Sequence, residues 1–109
     1  MSYTHKELRD MFPDNKLNLE KLAEEAAEVI QAKSKIIFFG LKDVYNNTKD
    51  HPDQSNVEKL EEEIGHFQAV VDVLIANGIV RPEKIEEAKP AKWDKMFKWN
   101  QYAGTKGDF

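Results

Sequence analysis

Two acidic runs carry the residue types from which metal sites are built: Glu24-Glu25-Ala26-Ala27-Glu28, and Glu61-Glu62-Glu63-Ile64-Gly65-His66. Glu25 and Glu28 are three apart, as are Glu63 and His66, and side chains at that spacing leave one side of a helix about 5 to 6 Å apart at Cβ. Two such helices packed antiparallel would bring Glu25, Glu28, Glu63 and His66 together as metal ligands. Carboxylates at the edge of an apolar face cost on the order of several kcal/mol each to desolvate unless a cation or a proton neutralises them. A divalent cation would answer both clusters at once, because like charges facing one another across a core repel. The plainer reading is a water-facing charge run. Glutamate is a good helix former, and Lys33, Lys35 and Lys59 are at hand as surface partners.

The elements that must position these residues are helical. Thr4 and Glu7 have capping-box spacing for a short helix that ends at Met11, before Phe12-Pro13-Asp14-Asn15. Asn18 is a good N-cap for a helix from Leu19 to Phe39, with Leu19, Leu22, Ala26, Val29, Ile30, Ile36 and Ile37 along its apolar stripe and Gly40 as terminator. Residues Leu41 to Gln54 are polar and turn-rich and read as a surface loop. Ser55 caps a second long helix, with Val57, Leu60, Ile64, Phe67, Val70, Val71, Leu74 and Ile75 at helical spacing up to Asn77-Gly78. Arg81-Pro82-Glu83 begins a further helix that Pro90 breaks or kinks, and a last one runs from Ala91 to about Tyr102. Residues from about 103 to 109 read as a flexible tail. Almost no window alternates with period two, so the expected fold is all-α: a compact helical bundle on two long antiparallel helices with shorter terminal helices. The two long helices are apolar over wide arcs, so a dimer or tetramer is expected to complete the core.

Length and composition bound the rest. A chain of 109 residues with no repeat is sized for a single domain, 1–109. Its 40% apolar and 33% charged residues suit a globular fold, and no apolar run approaches the roughly 20 residues of a membrane span. The opening Met1-Ser2-Tyr3-Thr4-His5-Lys6 lacks an apolar stretch, which sets a cytoplasmic location as the expectation. With no cysteine there is no disulfide, thiolate nucleophile or cysteine zinc site. Net charge is −4, with 9 basic and 15 acidic residues over 1–80 against 7 and 5 over 81–109. Duplex nucleic acid is therefore not the expected partner, whereas a small anion bridged by a cation is compatible.

Glu24-Glu25-Ala26-Ala27-Glu28 resembles the Glu-Glu-x-x-Glu motif of the MazG-like all-α nucleoside triphosphate pyrophosphohydrolases, a superfamily that includes dimeric dUTPases and phosphoribosyl-ATP pyrophosphatase. Glu62-Glu63-Ile64-Gly65-His66 stands where that family carries Glu-x-x-Asp, so the resemblance covers residues 18 to 78. It implies magnesium-dependent attack of water on a nucleotide, releasing a monophosphate and pyrophosphate. By motif position it implies metal ligation by Glu25, Glu28, Glu63 and the residue at 66, with Glu24 as an additional catalytic carboxylate, a second metal contact or a water orienter.

His66 departs from the motif's aspartate. One negative charge is lost and a softer nitrogen is gained, which favours Mn²⁺, Fe²⁺, Co²⁺ or Zn²⁺ over Mg²⁺. Three outcomes stay open: ligation of a transition metal, a three-carboxylate Mg²⁺ site with His66 beside the phosphates, or a degenerate site that binds nucleotides without turnover. Glu63-Ile64-Gly65-His66 is also the Glu-x-x-His of ferritin-like di-iron bundles, which a homodimer would supply twice. For substrate binding, Lys33, Lys92 and Lys95 are the candidate phosphate contacts and Trp93 a candidate stacking platform. Solvated lysines and an interface tryptophan are the competing readings.

Overall fold

Free amides at helix starts and free carbonyls at helix ends need partners, and most of the helix ends here are satisfied by local side chains or backbone. The computed structural model describes residues 2–43 and 53–103. The first helix, α1 (His5–Met11), begins with the expected capping box between Thr4 and Glu7. The Thr4 amide bonded to the Glu7 carboxylate holds that group's pKa below its usual value. The second, α2 (Asn15–Phe39), starts four residues before the expected Leu19 because Asp14, not Asn18, is its cap. Asp14 accepts from the Lys16 and Leu17 amides at 3.1 and 3.2 Å. Asn18 is inside the helix, and its amide nitrogen reaches back to the Phe12 carbonyl at 3.0 Å. Gly40 ends α2 at a φ of 93°, a conformation strained for residues with a Cβ.

Ser55 and Glu58 form a second capping box at the head of α3 (Asn56–Ala76), and the Ser55 amide likewise lowers the Glu58 pKa. Gly78, at a φ of 73°, turns the chain beyond its end. The expected surface loop falls largely on residues 44–52, outside the described residues, as does the expected tail beyond 103.

The two long helices form an antiparallel hairpin, tied at both ends. At one end the Asn56 and Val57 amides donate to the Asp43 and Leu41 carbonyls at 2.7 and 2.9 Å, and the buried Asn56 side chain donates to the Gly40 carbonyl at 3.0 Å. At the other end the Asn77 amide group donates to Asn15 Oδ1 at 2.7 Å and to the Phe12 carbonyl at 2.8 Å. Arg9 reaches the Ala76 carbonyl at 3.3 Å, fixing α1 against α3. The core is buried at both ends of the hairpin: Ala32 and Ile36 of α2 towards the Gly40–Asn56 tie, and Val73, Leu74 and Ala76 of α3 towards the Asn15–Asn77 tie. Of the expected α2 stripe, Leu19, Ile30 and Ile37 are exposed.

The fourth helix, α4 (Pro82–Ala103), runs unbroken through Pro90, so the two short helices expected on either side of it are one. Pro90 removes a single amide donor, and its surroundings are exposed, so the carbonyl it orphans is open to water. Ion pairs Lys84–Glu87 at 3.2 Å and Glu86–Lys89 at 2.7 Å brace the turns before it. Pro82 and Ile85 border α3 across a groove, while Trp93, Met96, Phe97, Trp99 and Tyr102 lie exposed. Among the described residues no strand occurs, and no helix is long and apolar enough to cross a membrane. The all-α expectation holds, with the two long antiparallel helices as its spine.

Candidate metal centre

The hairpin turns Glu25 of α2 towards Glu63 and His66 of α3. One ligand atom from each of these three residues falls in a group whose members lie within 4.8 Å of one another. His66 Nδ1 is 3.7 Å from Glu63 Oε2 and 3.9 Å from Glu25 Oε2. Both distances are too long for hydrogen bonds. They are close to the roughly 3 to 4 Å that separates neighbouring and opposite ligands around an ion bound at about 2.1 Å. Two carboxylate oxygens and an imidazole nitrogen therefore fit a divalent cation after small side-chain movements. The group is graded in depth: Glu63 is only 4% exposed, Glu25 is half-buried, and His66 is open to solvent. A site of this kind is closed on its hairpin side and open on the other.

Glu63 has a second use. Its Oε1 accepts from Lys59 Nζ at 3.0 Å, leaving Oε2 to face His66. Lys59 also reaches Glu62 at 3.2 Å, and Gln54 donates to the same Glu62 oxygen at 3.2 Å. The bond to Glu63 holds the Lys59 pKa above its usual value, against the opposing effect of burial. Lys59 is thus the cation that makes a buried Glu63 tolerable. It also fixes the rotation of the carboxylate, so that one oxygen is presented to the triad. From the sequence it was assigned only to surface pairing, although its position four residues before Glu63, one turn away on the same face, was the available signal.

The remaining sequence-selected residues lie apart from this triad. Glu28 is exposed on α2 and does not join the group. Glu24 is exposed and pairs with Lys21 at 3.2 Å. Lys33 is exposed two turns beyond Glu25. Lys92 and Lys95 border a groove made with Met96, Trp99 and Asn100 of α4 itself, and Trp93 is exposed on the same helix. No family model, curated protein or solved structure matches this chain. The likeness to nucleotide pyrophosphohydrolases therefore rests on the two motifs.

Proposed function

We propose that the chain is a divalent-metal-dependent nucleotide pyrophosphohydrolase, with Glu25, Glu63 and His66 as the metal-holding group. The observation that carries this reading is the convergence of the two acidic motifs, from different helices, to within 4.8 Å. When bound, the cation supplies neutralisation of phosphate charge and a water of lowered pKa. The protein's part is to place the ligands. Glu63 is held by Lys59 and offers one oxygen; Glu25 offers another from α2; His66 closes the group on its solvent side. Glu24 and Glu28, exposed on α2 outside the group, would orient water or gain contact once substrate arrives. The nitrogen ligand favours Mn²⁺, Co²⁺ or Zn²⁺ over the Mg²⁺ implied by the motif. In this reading the chain works as a dimer or tetramer with a nucleotide as its small-molecule partner.

The test is pyrophosphate release from a panel of nucleoside triphosphates with Mg²⁺, Mn²⁺, Co²⁺ or Zn²⁺. Replacing Glu63 by Gln is expected to lower activity by more than about 100-fold, beyond the roughly 10- to 100-fold typical of losing an outer partner of a metal ligand. His66→Asp is expected to shift the preferred ion towards Mg²⁺. If no ion supports an activity that Glu63→Gln removes, the reading is wrong. The same triad is one Glu plus one Glu-x-x-His, which is half of a di-iron carboxylate site. Iron bound as spectroscopically coupled pairs would favour that second reading.

A further inference from the structure

An apolar groove of about 580 Å³ lies between α1, the first turns of α2 and the last turns of α3. That volume is within the roughly 300 to 1,000 Å³ of small-molecule pockets. Leu8, Met11, Phe12, Leu17, Val70 and Val73 are among its walls. Lys21 on its border precedes Glu25 by four residues, and Ala69 and Val70 follow His66 by three and four. Each helix therefore rises about 5 to 6 Å between the triad and the near end of the groove. In an antiparallel hairpin these two offsets point the same way, so the groove continues from the triad along the helix pair towards α1. Leu17, eight residues before Glu25, marks a point about 12 Å away.

The groove has few polar groups to spend. Besides the Tyr3 hydroxyl, its polar side chains are engaged: Asp14 caps α2, Asn18 gives its amide nitrogen to the Phe12 carbonyl and Asn15, and Lys21 pairs with Glu24. Leu17 and Phe12 remain 60% and 41% exposed. The fitting occupant has a flat apolar part for these walls and an anionic part for a cation held by the triad.

We propose that the groove receives the base of the nucleotide whose phosphates reach a cation held by Glu25, Glu63 and His66, and that it prefers bases with the least polar edges, thymine and alkylated bases before cytosine. The inference rests on the nucleotide reading above and adds the substrate class to it. A polar base edge moved from water against these walls loses hydrogen bonds for which the groove offers few replacements. A methyl group gains contact there, a difference of about 10-fold or more per group in an apolar pocket.

The experiment follows the methyl resonances of Leu17 and Val70 in the full chain, with Mg²⁺ or Zn²⁺ present, on titration with thymidine 5′-monophosphate or deoxycytidine 5′-monophosphate. A parallel titration uses Ala69→Trp, which fills the groove from an exposed position; its helicity and melting are checked by circular dichroism. Both methyls are expected to shift with the thymidine nucleotide, to need roughly 10-fold more of the cytidine nucleotide, and to lose the response in Ala69→Trp. In the same variant the KM for the triphosphate is expected to rise about 10-fold. Intact pyrophosphate release, with no methyl shift and no change of KM in Ala69→Trp, overturns the groove assignment and leaves the hydrolase reading standing. Nucleotide binding at these methyls without turnover of any triphosphate supports the groove and removes the hydrolase. Methyl shifts that follow protein concentration without nucleotide, together with dimerisation that Ala69→Trp prevents, assign the groove to a second copy of the chain and overturn the proposal.

Discussion

Helices α3 and α4 are almost the same length, 21 and 22 residues, yet only one is held by its neighbours. α3 has Asn56, Glu63, Val73, Leu74 and Ala76 buried against the rest of the hairpin. α4 carries the larger aromatic load and leaves it in solvent. Its lysines are spaced well enough for phosphate contacts, but nothing fixes them relative to a site. Glu63 and His66, by contrast, sit on the helix whose ends are pinned by Asn56 and Asn77. Residue type and spacing propose a chemistry; a packed face is what fixes its geometry.

The comparison breaks most sharply at the core. Leu74→Ala is expected to cost about 2 to 5 kcal/mol, since Leu74 is almost fully enclosed and its loss leaves a cavity. The thermal midpoint should fall by roughly 10 °C or more. A loss below about 1 kcal/mol, the middle of the range for arbitrary substitutions, would show that the hairpin is not the principal core.

Lys59→Met tests the charged part of the same interface. Removing the ammonium leaves Glu63 buried without its cation, at an expected cost of about 1 to 3 kcal/mol near neutral pH. The Lys59 pKa is raised in the folded state, so its contribution is fully present below the ordinary lysine value of 10.5 and is lost as pH rises through the folded value. Urea midpoints of the native chain and the variant should therefore differ most at pH 8 and converge at strongly alkaline pH. A gap that stays constant across that range would assign the effect to packing by the lysine stem.

The smallest effect is expected in α4. Trp99→Ala should change the stability of dilute protein by no more than about 0.5 kcal/mol, as for an exposed residue without a packed neighbour. A loss approaching that of Leu74→Ala would mean that the aromatic face is covered in solution.

What the sequence made legible was local. Thr4 with Glu7 and Ser55 with Glu58 mark helix starts within four residues, and Gly40 marks an end by its own backbone freedom. The start of α2 was less legible because Asp14 and Asn18 are both good caps. What decides between them is Asn18 reaching the Phe12 carbonyl, a contact outside its own helix. Membership of the triad was harder still. Glu25 and Glu28 differ by only about 60° around the helix, and the register of α2 against α3 decides which one meets Glu63. That register depends on the Asn15–Asn77 and Gly40–Asn56 ties, which join residues 62 and 16 positions apart. Lys59 reads from the sequence only as a surface partner because a lysine near glutamates has many of these, and only burial singles out the one it neutralises.

The two tryptophans of the chain, Trp93 and Trp99, both stand on α4, while the hairpin that holds the candidate site has none. Intrinsic fluorescence is therefore a reporter for one helix. Its emission should already be red-shifted in the native state, stay nearly flat while the core melts, and move to the blue only when another molecule comes to rest against that helix.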